Sequence, residues 1–202
     1  MNRRNKKDEL IEATMGVVAE NGLPSFSMRK VTMRVGVSEA LIYRHFYSKE
    51  NVFEICFERM VSILGEELGK VDLSGADSPE GVSEVARRVW LAYLNTLVDN
   101  GYRSLFFFEY REYYHEKVWQ DRERIEKEYF SQYKDTMCEI ISRYGLYDRV
   151  DPTLFWSYIT DVTSWIVKRR LHGQLENTPE AAERAWNLIW GGVKGRLLPE
   201  SK

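Results

Sequence analysis

The sequence predicts an all-α fold of about nine helices, on three observations. The spacing of apolar residues stays close to 3.6 nearly throughout. No run alternates with the period of two that a strand requires. Glycines following a polar or aromatic residue, at Asn21-Gly22, Asn100-Gly101, Tyr144-Gly145 and His172-Gly173, punctuate the pattern as helix ends.

The elements follow in order. A first helix covers about Lys6–Glu20, with Leu10, Ile11, Thr14, Val17 and Val18 facing inward. Ser27 reads as the N-cap of a short second helix ending near Gly36. Ser38 reads as the N-cap of a third, through about His45, and Ser48 as that of a long fourth. The fourth carries the inward stripe Phe53, Cys56, Phe57, Met60 and Leu64. The Gly-, Ser-, Asp- and Pro-rich stretch "GKVDLSGADSPEG" is the linker candidate. Helices then cover about Pro79–Asp99, Tyr102–Tyr113 and, as one long element, Glu116–Tyr144. Asp151-Pro152 opens an eighth that ends near His172, and Thr178-Pro179 a ninth that ends near Gly195, since proline suits the first helical turn.

Composition narrows the class. With 202 residues, 44% of them hydrophobic, the chain can bury a substantial core, and five prolines with 30% charged residues argue against disorder. No apolar run approaches the roughly 18 residues of a membrane span. The basic start "MNRRNKKDEL" is not followed by a signal-type apolar stretch, so a reducing cytoplasm is expected. Cys56 and Cys138 match no metal or redox spacing and read as core thiols. The net charge of −2 hides an asymmetry: residues 1–50 hold nine Lys/Arg against six Asp/Glu, and the rest twenty against twenty-five. A positive N-terminal part is a weak pointer to nucleic acid.

That pointer meets a motif. "SMRKVTMR" and "SEALIYRHF" flank a tight turn holding Gly36, with Val31, Val35, Val37 and Leu41 or Ile42 available for the small core between them. This is the layout of a helix-turn-helix, whose second helix enters the DNA major groove. Ser38, Glu39 and Ala40 are short enough for close approach. Ser27, Tyr43, His45 and Lys49 supply donors for phosphates at the rim, beside the positive end of the fourth helix.

Residues 8–53 resemble, without gaps, the N-terminal DNA-binding domain of TetR-family transcriptional regulators. The resemblance rests on Glu20-Asn21-Gly22, Phe26-Ser27-Met28-Arg29, Gly36-Val37-Ser38, Ile42-Tyr43-x-His45-Phe46 and Ser48-Lys49-Glu50. It implies a DNA-binding domain over 1–47 and a helical ligand-binding and dimerisation domain over 48–202, connected by the fourth helix. It further implies that Ser27, Tyr43 and Lys49 hold phosphates with help from His45. Ser38, Glu39, Ala40 and Arg44 would face bases or adjacent backbone, and Arg29 a base edge or phosphate. Thr32 and Val35 stand where the family usually has alanines, and Ala40-Leu41 where glycine and threonine are common. Arg3, Arg4, Lys6 and Lys7 form either an arm over the DNA or a solvated tail.

Beyond residue 70 the residues are read from physics. The aromatic run around "SLFFFEY" is apolar on more than one side, and lines a ligand cavity or fills a core. Trp90, Tyr93, Phe107, Tyr110 and Trp156 are the expected wall, which suits an apolar or aromatic effector. Glu109 beside them is expected to meet Arg87, Arg88 or Arg103, or else a cationic ligand. The last two helices are expected to form a two-fold four-helix interface through Phe155, Ile159, Val162, Ile166, Ala182, Ala185, Ile189 and Val193.

Catalysis has little support. The three histidines, His45, His115 and His172, are scattered, and Glu112, His115 and Glu116 are better explained as a solvated face than as metal ligands. No phosphate-binding glycine motif or nucleophile elbow is present, so no cofactor, metal or catalytic residue is expected. The reading is a homodimeric, cytoplasmic, ligand-responsive repressor of a double-stranded, pseudo-palindromic operator. An activator, a ligand-independent regulator, or a small-molecule-binding protein or enzyme of the same fold are the alternatives.

Overall fold

A computed structural model describes residues 3–144 and 152–197, with the side chains of 3–5, 132–134, 136–138, 141, 152–153, 155–156 and 193–197 outside the description. The described residues form eleven helices: α1 (Arg3–Asn21), α2 (Met28–Val35), α3 (Glu39–Ile42), α4 (Lys49–Leu68), α5 (Pro79–Asp99), α6 (Gly101–Tyr113), α7 (His115–Gln120), α8 (Arg122–Tyr129), α9 (Ser131–Tyr144), α10 (Pro152–Leu171) and α11 (Pro179–Leu197). They group into two compact units: Met1–Ile63 with Asn100–Ile125, and Leu64–Asp99 with Glu126–Lys202.

In the first unit, α1 buries Leu10, Ile11, Thr14, Val17 and Val18, the face its periodicity predicts. The expected stripe of α4 is buried too, through Phe53, Cys56, Phe57 and Met60. Cys56 donates its S–H to the Ile11 carbonyl at 3.6 Å, and burial pushes its thiol pKa well up. Cys56 is therefore an inert packing group. From α6, Phe106, Phe107, Phe108 and Tyr110 are all buried. Phe57 stacks on Phe107 at 5.4 Å between centroids and on Tyr110 at 4.7 Å, while Phe53 meets Phe26 edge-on at 4.7 Å. This part of the aromatic run is core.

The second unit is organised around tryptophans. Trp90 of α5 donates its indole N–H to the Thr163 hydroxyl of α10 at 2.9 Å, and its ring lies 5.8 Å from that of Trp186 on α11. Trp186 stacks on Trp190 at 5.0 Å. Arg87 of α5 pairs with Glu183 of α11 at 2.5 Å. The linker is tied down by Arg143, which reaches Asp77 at 3.1 Å, and by the Tyr144 hydroxyl, which donates to the Ala76 carbonyl at 3.2 Å.

Two expectations change. The helix predicted over Glu116–Tyr144 is three helices, interrupted at Asp121 and Phe130. Neither interruption has a glycine or proline of its own. The second lies where the chain passes α4: a Cβ on Gly65 would sit 2.6 Å from the Tyr129 carbonyl oxygen, so only glycine admits this backbone approach. The helix predicted over Ser38–His45 is α-helical for Glu39–Ile42 only. Beyond it Arg44 and His45 donate their amides three residues back, to Leu41 at 3.2 Å and Ile42 at 2.9 Å, which tightens the last turn.

Candidate nucleic-acid interface

The site is built on α2, α3 and the first turn of α4. Ser27 is extended (φ −141°, ψ 143°) and its hydroxyl oxygen accepts the Lys30 amide at 3.3 Å, the N-cap its position predicts. At the other end of α2, Gly36 adopts φ +70°, ψ +39°, and Val37 donates back to the Thr32 carbonyl at 3.0 Å. This left-handed C-terminal cap redirects the chain into α3, and glycine meets it at no steric cost. Thr32, set where alanine is usual, is buried and donates its hydroxyl to the Arg29 carbonyl at 2.9 Å, so it leaves no unpaired polar group.

Ile42 and Phe46, each 1% exposed, fasten α3 to the core at helical spacing. The opposite face is open: Ser38, Glu39, Ala40, Tyr43, Arg44 and Tyr47 are all exposed, while Leu41 and His45 are half-buried at its edges. Ser38 was expected to cap α3 through its side chain. It has cap geometry but makes no side-chain cap bond, so its hydroxyl remains available. Ser48 does cap α4, accepting the Asn51 amide at 3.2 Å. The positive end of α4 begins at Lys49, two residues after Tyr47 of the open face, a position that suits a phosphate.

The cations around this face divide into two sets. Lys30 is held by the Asn21 side-chain oxygen at 2.9 Å and the Ser25 carbonyl at 3.1 Å, Arg34 pairs with Glu20, and Lys6 with Glu9. Lys7 lies 5.8 Å over the Phe46 ring. Arg29 and Arg44 are exposed and form no ion pair among the described residues. Lys49 rests its ammonium 5.4 Å from the rings of both Phe26 and Phe53. Such a stack holds the charge at the mouth of the core rather than in solvent.

Of the expected DNA-facing residues, Ser38, Glu39, Ala40, Tyr43 and Arg44 share one exposed face, Arg29 is exposed on α2, and Ser27, His45 and Lys49 are half-buried at the margin. Tyr47 was missed by the sequence reading. It is 88% exposed, against 58% for Tyr43 four residues earlier. The signal was available, because Phe46 alone fills the core position and leaves the neighbouring ring nothing to pack on.

The residues expected to line a ligand cavity divide between the two units. Phe107, Glu109 and Tyr110 are in the first, Trp90 and Tyr93 in the second, and the Trp156 side chain is outside the described residues. Glu109 forms no ion pair with Arg87, Arg88 or Arg103 among the described residues. The backbone amide of Leu23, just past the turn at Gly22, donates to its carboxylate at 3.4 Å. The arginines expected there are engaged elsewhere, Arg103 with Glu12, Arg87 with Glu84 and Glu183, and Arg88 with Asp72. Among the expected interface residues, Ile166, Ala182 and Ile189 are buried inside the second unit, Ile159, Val162 and Ala185 are half-buried, and the Phe155 and Val193 side chains are outside the described residues. No group of histidine, cysteine or carboxylate side chains capable of holding a metal occurs among the described residues. None of the described helices is long and apolar enough to cross a membrane.

A glycine-turned helix pair with one face closed by Ile42 and Phe46 and the other open has the layout of a helix-turn-helix. Residues 10–56 match the family model of bacterial regulatory proteins, tetR family. The nucleoid occlusion factor SlmA of Aliivibrio fischeri (strain MJ11) is 41% identical over 51 residues, 25% of this chain and 26% of the relative. The HTH-type transcriptional regulator BetI of Yersinia pestis (strain Pestoides F) is 34% identical over 61 residues, 30% of this chain and 31% of the relative. The chain thus matches well under half the length of these relatives. Across the whole chain, a TetR-family transcription regulator from Marinobacter aquaeolei VT8 superposes with a TM-score of 0.71 at 20% identity, covering 95% of this chain and 97% of its own. Residues 10–56 are thus similar to the tetR-family model, and the chain as a whole has the fold of the solved regulator it superposes on.

Proposed function

We propose that this protein is a dimeric transcriptional regulator that binds a pseudo-palindromic operator and represses until a small molecule releases it. The observation that carries the reading is the open face of α3, where Ser38, Glu39, Ala40, Tyr43 and Arg44 stand exposed opposite the buried Ile42 and Phe46. Ser38 and Ala40 reach base edges, Tyr43 and the Arg29 and Arg44 guanidiniums hold phosphates or bases, and Ser27, His45 and Lys49 line the rim. Two copies related by a two-fold axis present two such faces, and an operator with matching half-sites follows. The second copy docks on the apolar residues that α10 and α11 leave exposed, Leu154, Trp165 and Leu188. Its role is regulatory rather than enzymatic, and its place the cytoplasm.

The test is a gel shift on DNA from the protein's own upstream region over a salt series. Binding should fall steeply with salt, and Arg29→Ala with Arg44→Ala should weaken it several-fold. Unchanged retention by that double variant would remove the assignment of this face.

A further inference from the structure

Residues 1–50 hold six carboxylates, and five of them are engaged. Asp8 accepts from Arg59 at 2.5 Å, and Glu12 from Arg59 and Arg103 at 3.1 and 2.9 Å. Glu9 pairs with Lys6, and Glu20 with Arg34. Glu50 is held by its own main-chain amide and by the Ser48 side chain. Glu39 is the sixth. It opens α3 and stands on the open face. Its carboxylate meets no hydrogen-bond donor and no cation among the described residues. Arg29 and Arg44, exposed on the same motif, do not pair with it.

An uncompensated carboxylate is costly on a surface that meets a polyanion. Phosphates within the roughly 8 Å Debye length of physiological salt repel it with little screening. Nor does the helix account for it, since four residues carry only a small dipole to favour an acid in the first turn. What can compensate the charge is a donor on the DNA itself, because an ionised carboxylate only accepts. In the major groove the donors are the exocyclic amino groups of cytosine and adenine. Guanine presents N7 and O6, and thymine O4 and a methyl, none of which donates to a carboxylate. Adenine sets its N6 amino group beside the N7 acceptor, which repels the second carboxylate oxygen. Cytosine presents its N4 amino group with no acceptor beside it on the same base.

We infer that Glu39 is a specificity-determining residue that accepts a hydrogen bond from a cytosine N4 amino group, so that each operator half-site carries a cytosine facing the start of α3. The inference rests on the regulator reading above and adds to it the chemistry of one base pair. The guanine of that pair presents O6 and N7, which suit a guanidinium, and Arg29 and Arg44 are the exposed, unpaired guanidiniums of the same motif.

Selection from a randomised duplex library with wild type, Glu39→Gln and Glu39→Ala tests this, followed by gel shifts on the selected site and its single-base variants. Wild type should select a cytosine at one fixed position of each half-site, and any other base there should weaken binding at least about fivefold. Glu39→Gln, whose amide both donates and accepts, should move the preference at that position from cytosine to adenine and leave the other positions as they are. Glu39→Ala should bind all four bases there about equally. A preference that moves at one position is a readout that a damaged fold would not give. If the three proteins select the same site, or if the position that Glu39→Gln alters holds no cytosine in wild type, the inference fails and the regulator reading stands. If both variants bind every duplex more tightly with base preference unchanged, Glu39 acts by repulsion alone and the inference fails likewise. A wild type that selects no DNA removes the regulator reading, and the inference with it.

Discussion

Arg59 of α4 donates to Glu12 of α1 at 3.1 Å, and the same guanidinium reaches Asp8 at 2.5 Å. From α6, Arg103 and the Tyr102 hydroxyl converge on the other oxygen of Glu12, at 2.9 and 2.7 Å. One carboxylate thus joins three helices of the first unit. Burial alone would raise its pKa, but the bonds from Arg103, Tyr102 and Arg59 outweigh burial and hold the group below the usual carboxylate range.

A pH dependence follows from that bond set. A carboxyl depressed in the folded state stabilises the fold above its unfolded pKa, and the contribution is lost as pH falls through the folded value. Melting temperature should therefore fall below about pH 4.5, the ordinary glutamate range. Glu12→Gln should remove part of that slope and cost about 1–2 kcal/mol at neutral pH, toward the low end because the site is part-exposed. Thermal melts of both proteins from pH 3 to 7 check this; parallel curves would count against it.

DNA binding should separate Arg44 from Lys49. Arg44 is exposed and forms no ion pair among the described residues, so Arg44→Ala should reduce the salt slope of binding by about one unit and leave the melting temperature unchanged. Lys49 also covers Phe26 and Phe53, so Lys49→Ala should lower both binding and stability. Equal melting temperatures for the two variants would show that the cation–π stack contributes nothing.

Gly36 permits a clean backbone test. A Cβ there meets nothing within 4 Å, so substitution brings no clash, only the strain of a left-handed φ of +70°. Gly36→Ala should cost roughly 1–2 kcal/mol in urea denaturation, and Gly36→Asn distinctly less, because asparagine tolerates this region. Gly65 is the opposite case, with an ordinary φ and a backbone oxygen 2.6 Å from any added Cβ. Gly65→Ala should destabilise by overpacking, at about 1–3 kcal/mol.

These two glycines also show what the sequence could and could not reveal. Gly36 lies between the capping Ser27 and Ser38, which has cap geometry without the cap bond, so local chemistry alone announced the turn and the open face of α3. The inward stripes of α1 and α4 were legible for the same reason, since a one-sided helix writes its burial into its period. The interruption at Phe130 was not, because it is recorded on another helix, at Gly65. The amide that reaches Glu109 was not legible either: it is the main-chain N–H of Leu23, and a backbone group has no letter in the sequence. The ion pairs of Glu54 with Lys117 and of Glu58 with Arg124 need α4, α7 and α8 to be placed before they exist, and each member alone resembles a solvated charge.

Dimerisation can be tested by contrasting adjacent residues on α11. Leu188 is 79% exposed and Ile189 is 1% exposed, although they are neighbours of equal size and similar hydrophobicity. An exposed leucine of this kind, with Trp165 at 53% and Leu154 at 66% on α10, is surface that a second copy would remove from water. Where the helices α10 and α11 run close, a Cβ on Gly192 would lie 3.3 Å from the Tyr158 hydroxyl, so bulk on this face is kept to chosen positions. Leu188→Asp should leave the circular dichroism and melting of the monomer nearly intact while halving the solution mass measured by light scattering. Ile189→Asp should do the reverse of a surface change and unfold the second unit, because it buries a carboxylate in a largely apolar core. Ile166 and Ala182 are buried like Ile189, and aspartate at either should behave as Ile189→Asp does. A wild type that is monomeric at micromolar concentration, or a Leu188→Asp protein that retains the dimer mass, would rule out this face as the two-fold interface.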